Sequence, residues 1–339
     1  MSDIKVSVIL CHHKGFNFVP KCIRSIRKNI GVKAEIIVVT SCRDSEIHNF
    51  KCDQLIFHDG GPSEKRNVGA RYANNDYLFF LDDDTELEPL FLLEMVKGMD
   101  QKGVGMVYGK TLNMERRTML DNAGSFLTWT GFLWAREESG AIEDNGQFDE
   151  PEYIFAGKGA AMALRRDTFE KVGGFDPIYE ILAEETDISW KVWFIGQKVL
   201  WVPKAVLYHA FNTKYKPWSY FYTNKRVYYN GCRNYIIMLA KFLEWHNFIR
   251  VIPLHFMVWF FAGFGMIVTG KFAAGFLIWK GLLYHLNPYF IADTLKRRRE
   301  TQALRTKSDK KLFRFIMRQP RFSFYWNRFW HYIKTGVHG

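Results

Sequence analysis

Cysteine is scarce in this 339-residue chain: Cys11, Cys22, Cys42, Cys52 and Cys232 make an odd set with no CxxC pair. That argues against a disulfide framework or a cysteine-built zinc site and fits a reducing compartment. The N-terminus lacks a signal-peptide pattern, because Met1-Ser2-Asp3-Ile4-Lys5 leads straight into the short apolar run Val6 to Leu10. Acidic residues thin out toward the end: from Lys241 onward, 17 Lys and Arg face only 4 Asp and Glu, a balance of +13 within a net charge of +12. The first 240 residues are therefore nearly neutral, and the two halves read as doing different jobs. Between Val251 and Gly270 there is no Asp, Glu, Lys or Arg at all.

What is present begins with alternating strand and helix signals. Val6 to Leu10, Glu35 to Val39, Leu55 to Phe57 and Tyr77 to Leu81 are apolar runs of strand length. Between them, Phe18 to Asn29 carries Cys22, Ile23, Ile26 and Ile30 at helical spacing, and Ser63 is placed to cap a helix reaching about Asn74. This alternation predicts parallel strands in a doubly wound sheet, with ligands at the carboxyl ends of the strands. That edge holds His12, His13, Thr40, Asp59 and Asp82-Asp83-Asp84. Farther on, a helix is expected over Ala183 to Ile195, followed by a strand over Lys198 to Val202 and a turn at Pro203.

On an extended strand end, Asp82 and Asp84 face one side and Asp83 the other. Two converging carboxylates are unfavourable unless a cation lies between them, and Mg2+ or Mn2+ shared with a diphosphate is the usual solution. A solvated acidic turn is the plain alternative. Glu184-Glu185-Thr186-Asp187 starts the later helix; these acids either favour the helix dipole or supply a general base. Glu184 points nearer the packed face, and Glu185 lies about 100° around the helix toward the cleft. His209, after the run Val202 to Tyr208, reads first as structural. Lys65 and Arg66 lie within reach of a diphosphate.

These pieces, in this order, resemble the family-2 glycosyltransferases of the GT-A fold, in particular the rhamnosyl- and mannosyltransferase-like branch. The resemblance covers about Val6 to His209. It rests on Val6 to Leu10, Arg66-Asn67-Val68-Gly69-Ala70, Phe79 to Thr85, Arg165 to Phe169, Val172-Gly173-Gly174-Phe175-Asp176, Glu184 to Lys191 and Val202 to His209. It implies an α/β fold, a Rossmann-like mixed sheet flanked by helices, over residues 1–215; composition sets 216–339 apart as a helical, basic-aromatic, membrane-associating region. It implies inversion, a divalent metal (Mn2+ or Mg2+) held by Asp82, Asp84 and His209, and a nucleotide-diphosphate sugar (GDP-, UDP- or dTDP-linked) met by Thr40, Asp59, Lys65, Arg66, Asp82 and Asp83. Asp187 and Trp190 fall on the acceptor side. The family's base is usually an Asp where this chain has Glu185, a shift of the carboxylate by about 1 Å. Thr40 stands where an Asp usually meets the nucleobase, which leaves Asp44 or Asp59 as substitutes, or a base other than uracil.

The uncharged stretch is long enough to cross a bilayer core of about 30 Å. A single crossing would place the basic tail against the positive-inside tendency, and a hairpin through Phe272 to Ala292 would bury Lys280 at mid-bilayer. A monotopic arrangement on the cytoplasmic face avoids both and suits arginines among Trp, Phe and Tyr over anionic lipids. Such docking favours a lipid-linked or glycolipid acceptor. Nucleic acid is disfavoured, since no RNA-binding motif accompanies the basic residues. A sugar-phosphate nucleotidyltransferase would need a glycine-rich basic loop that Cys11-His12-His13-Lys14-Gly15 does not supply. A non-catalytic sugar-nucleotide-binding membrane scaffold would not need the intact acidic triplet.

Overall fold

The computed structural model describes residues 4–13, 17–137, 142–210 and 225–335. The chain divides into two units. The first comprises residues 1–125, 135–180 and 184–213; the second comprises 126–134, 181–183 and 214–339. The expected boundary at 215/216, like Lys14 and Gly15, lies outside the described residues.

The first unit is a mixed α/β sheet. Four strands, β1 (Ile4–His12), β2 (Val32–Thr40), β3 (Gln54–Phe57) and β4 (Tyr77–Asp82), run parallel in the order β4-β1-β2-β3. Their continuous apolar runs are explained by burial on both faces: Val8, Ile9, Ile36, Ile37, Phe79 and Phe80 are fully enclosed. Beyond β4 the parallel order breaks. Strand β5 (Ala161–Arg165) pairs antiparallel with β4 and with β6 (Val104–Asn113), and β7 (Lys198–His209) runs parallel to β6. The sheet is therefore mixed, as the resemblance implied.

Three local expectations are corrected. Ser63 does not cap helix α1 (Pro62–Tyr72); Gly61 does, and the Ser63 hydroxyl instead donates to the Tyr179 carbonyl at 2.9 Å. A side chain at Gly61 would meet the Glu180 carbonyl at 2.8 Å, so only glycine fits that approach. Pro203 does not end a strand, because β7 continues to His209 with an irregularity between Val202 and Val206. Asp83 and Asp84 are not extended: they form a turn from β4 into a short strand, β8 (Thr85–Leu87), which pairs antiparallel with β7.

The second unit is helical. It contains α2 (Lys225–Phe242), α3 (Trp245–Val268), α4 (Phe272–Tyr284), α5 (Pro288–Ala303), α6 (Asp309–Ile316) and α7 (Phe322–Thr335). Helix α3 is long and apolar enough to cross a membrane by length and composition alone. Its inward stripe, Trp259, Ala262 and Met266, packs with Ile236, Ile278 and Tyr332. Gly263 and Gly275 let α3 and α4 approach closely, since a Cβ on Gly275 would fall 2.6 Å from the Gly263 carbonyl oxygen. The outward side of the same helices is apolar too: Met257, Phe260, Phe261, Phe264, Phe272 and Phe276 are exposed.

Part of the basic tail is structural. Arg298 donates to the Ala240 carbonyl and lies over the Trp245 ring at 4.4 Å, while Gln302 and Arg305 reach the Lys241 and Phe242 carbonyls. These three side chains satisfy the open carbonyls at the C-terminus of α2. Lys296 and Arg299 remain exposed.

Candidate active site

Strand ends assemble the acidic centre. β4 carries Asp82 to the sheet edge, and the Asp83-Asp84 turn reverses the chain into β8. Because β8 pairs with β7 with Thr85 opposite His209, the imidazole lies beside the acidic turn. The Ala210 N–H donates to the Asp84 carbonyl at 3.0 Å and locks this register. His209 Nε2 then lies 3.3 Å from Asp84 Oδ1 and 3.8 Å from Asp82 Oδ2. One ligand atom each from Asp82, Asp84 and His209 lies within 4.8 Å of the others. Two hard carboxylate oxygens and an imidazole nitrogen form a donor set that fits Mn2+ or Mg2+.

Behind His209 stands a group that sequence reading missed. Asp121 accepts from His209 Nδ1 at 2.9 Å, and Lys158 Nζ lies 2.7 Å from both Asp121 oxygens. With Nδ1 bonded to Asp121, Nε2 is directed at Asp82 and Asp84, as in a carboxylate–histidine–metal arrangement. Burial pushes the Asp121 carboxyl up, but Lys158 and His209 together outweigh that and leave it well below the ordinary carboxylate range. Burial and Lys158 oppose a charge on His209, but the carboxylates of Asp121 and Asp84 prevail and raise it to about 9. The signal that could have exposed Lys158 is Gly157-Lys158-Gly159: a Cβ at Gly157 would come 2.5 Å from the Tyr108 ring, and one at Gly159 would come 3.0 Å from Arg66 Nη2.

Arg66, on α1, links the acidic centre to the glutamates. It lies 2.9 Å from Glu184 Oε1 and 3.3 Å from Asp82 Oδ1, and is itself buried. Burial disfavours its charge, but Glu184 and Asp82 outweigh that and hold the guanidinium cationic. Asp82 is raised from the ordinary carboxylate value by desolvation, against Arg66, with Asp84 and Asp83 adding to it. Asp83 turns away from this pair to His12, whose Nδ1 is 2.6 Å from Asp83 Oδ2.

Glu184 and Glu185 begin helix α8 (Glu184–Phe194). Glu184 is buried and paired with Arg66; Glu185 is half-buried. Glu185 Oε2 has no hydrogen-bond partner among the described residues. Burial, then repulsion from Glu184, raise the Glu185 carboxyl far above the ordinary value. A carboxylate held in this way is a stronger base than an exposed one.

The other expected residues are distributed unevenly. Lys65 is buried, donates to the His12 carbonyl at 2.8 Å and the Ser41 hydroxyl at 3.0 Å, and is lowered by burial. Thr40 is buried, its hydroxyl accepting from Cys42 N–H at 2.9 Å, whereas Asp59 is at the surface, paired with Arg43 at 2.9 Å. Asp187 and Trp190, expected on the acceptor side, are enclosed instead. Asp187 meets Tyr179 and Lys191 at 3.0 Å each, and Trp190 packs edge-on against Phe155. One helical turn carries both to the packed face of α8, opposite the side that bears Glu185.

Comparisons with known proteins bear on the family and the fold. A family model described as glycosyl transferase family group 2 matches residues 77–295. The O-antigen biosynthesis protein RfbC of Myxococcus xanthus is 27% identical over 148 residues, 42% of this chain and 12% of that protein. The probable glycosyltransferase YdaM of Bacillus subtilis is 25% identical over 242 residues, 69% of this chain and 53% of that one. The crystal structure of GalNAc-T7 with UDP, GalNAc and Mn2+ superposes with a TM-score of 0.62 at 17% identity, over 93% of this chain and 57% of that one. This chain spans less than two thirds of the length of each of these relatives. The mixed sheet is the GT-A fold, and with well over half of its length matched by the family model the chain belongs to glycosyl transferase family group 2.

Proposed function

We propose that this chain transfers a sugar, with inversion, from a nucleotide-diphosphate sugar to a hydroxyl of a lipid-linked or glycolipid acceptor, in a metal-dependent reaction. The observation that carries the reading is the convergence of Asp82, Asp84 and His209, joined through Arg66 to the glutamate pair. In this reading residues 1–215 perform the chemistry and 216–339 hold the chain at a membrane.

Asp82, Asp84 and His209 would hold Mn2+ or Mg2+, which when bound acts as a Lewis acid toward the departing diphosphate. Arg66 and Lys65 bring positive charge to the same side, stabilising negative charge that develops on the leaving group. Asp83, fixed by His12, faces the sugar or ribose. Glu185 removes the acceptor hydroxyl proton as the new bond forms on the face opposite the leaving group. Glu184 serves differently: its pairing with Arg66 places a second negative charge beside Glu185 and keeps that carboxyl basic. The transition state is oxocarbenium-like, as in glycoside hydrolysis. The donor base is a GDP-, UDP- or dTDP-type nucleoside. Relatives named as N-acetylgalactosaminyltransferases and an O-antigen biosynthesis protein support a sugar donor and a cell-surface glycan context without choosing the sugar.

Attachment is monotopic, at the cytoplasmic face. Exposed Phe260, Phe261, Phe264, Phe272 and Phe276 offer apolar surface to a bilayer, and exposed Lys296 and Arg299 suit anionic headgroups. The deciding experiment measures donor turnover with Mn2+ or Mg2+ for the wild-type chain, Asp84→Ala and Glu185→Gln, with NMR of the product's anomeric centre. Loss of turnover in both variants and an inverted product support the reading. Wild-type rates in both folded variants, or retention, reject it.

A further inference from the structure

The helix that carries the glutamate pair leaves from an unusual segment. Leu182 and Ala183 have φ of 70° and 76° and are the two non-glycine residues with positive φ among the described residues. A Cβ makes this left-handed conformation costly, and two in succession persist only where neighbouring groups hold them. The holding group is Asn234 of α2. Its side chain is fully buried, and its amide nitrogen donates to the Ile181 carbonyl at 2.8 Å and the Leu182 carbonyl at 3.0 Å. Its oxygen accepts from Arg233 Nε at 3.0 Å, so the amide is oriented on both sides. Residues 181–183 group with the helical unit, while Glu184, the next residue, begins a helix of the catalytic unit.

We infer that Asn234 is a positioning residue for the base: it fixes the left-handed Leu182-Ala183 pair and thereby the direction in which Glu184 and Glu185 enter the site. The inference rests on the proposed role of Glu185. Asn234 touches neither donor nor metal ligands in this assignment. An Asn is suited to the task because one amide nitrogen can satisfy two carbonyls that a left-handed turn turns away from any helical partner.

The test uses the full-length chain and a double-mutant cycle. Asn234→Ala is expected to lower kcat by about tenfold or more, the scale on which small displacements of a catalytic group are felt. Binding of the nucleoside diphosphate with Mn2+, measured by calorimetry, should change less than about twofold, because Asn234 bonds to the Ile181 and Leu182 carbonyls rather than to the proposed donor or metal residues. Ala183→Gly frees the left-handed conformation of its Cβ penalty, so in that background the loss from Asn234→Ala should shrink to about threefold or less. Asn234→Asp keeps the shape without the donors and should resemble Asn234→Ala; it replaces the alanine variant if that one does not fold. Wild-type kcat in the folded variant, equal losses in both backgrounds, or donor affinity falling in step with kcat would each overturn the inference. Glu185→Gln is the control: if it turns over at the wild-type rate, the base assignment itself fails, whereas an inactive Glu185→Gln beside an unimpaired Asn234→Ala defeats this inference alone.

Discussion

The two units use charge and apolar surface in opposite ways. In the catalytic unit, ionisable groups are drawn inward and paired: Arg66 with Glu184 and Asp82, Lys158 with Asp121, His12 with Asp83. In the helical unit, phenylalanines face outward from α3 and α4, while Arg298 and Arg305 turn inward to meet backbone carbonyls. Buried pairing is costly in desolvation and weak as a stabilising device, so where it concentrates around a sheet edge it marks chemistry. Apolar surface left outward is unfavourable in water, and in the proposed function the outward faces of α3 and α4 are the surface that meets the membrane. Each unit departs from the rules of an ordinary soluble core, and each departure points to its task.

The comparison is broken most severely at the glutamates. Glu185→Gln should reduce kcat by about 10²–10⁴-fold, the range for removing a general base, with donor affinity retained. Asp84→Ala, or chelation of the wild-type protein, should abolish metal-dependent turnover together with Mn2+ binding followed by electron paramagnetic resonance. A smaller effect is expected one step back: Asp121→Ala should weaken Mn2+ binding about 10–100-fold, since the imidazole loses the partner that sets its tautomer and direction.

The pH dependence follows from burial. The Glu185 carboxyl is raised to about 8 from an ordinary 4.5, so turnover should climb with pH and level off above about 8. The sign for stability is opposite to that for activity. A carboxyl raised on folding favours the folded state at low pH, and that contribution is lost as pH rises from about 4.5 through about 8. Thermal unfolding of Glu185→Gln should therefore show a flatter pH dependence than the wild type across this window. The least expected effect lies in the helical unit. Phe261→Asp with Phe264→Asp should reduce co-sedimentation with vesicles containing anionic phospholipid by severalfold while leaving donor and metal binding unchanged. Unchanged sedimentation would remove the membrane from the comparison.

Much of the catalytic half was legible from residue order. Four apolar strands, the acidic triplet and the Glu184-Glu185 helix stand where pattern and spacing put them, because double-sided burial and helical periodicity are local properties. Other expectations failed for reasons of tertiary context. Asp82 and Asp84 converge through a turn rather than strand alternation, and Asp187 and Trp190 face inward because the packed side of α8 extends farther around than its sequence suggests. Arg298 belongs to the basic C-terminal half, and its bond to the Ala240 carbonyl, 58 residues away, is not encoded in that charge pattern.

The glycosyltransferase class came from the resemblance of its motifs to a known family; sequence alone determined an α/β front with an acidic strand end and an apolar, basic back. Those features follow from composition and short-range periodicity, which any folded form must respect. Only the tertiary structure decided that His209 is aimed by Asp121 and Lys158, that Arg66 joins Asp82 to Glu184, and that Asn234 holds the turn before the glutamates. Each of these links joins residues far apart in the chain, and no local propensity encodes them; they exist because strand register and helix packing bring particular polar atoms within hydrogen-bond reach.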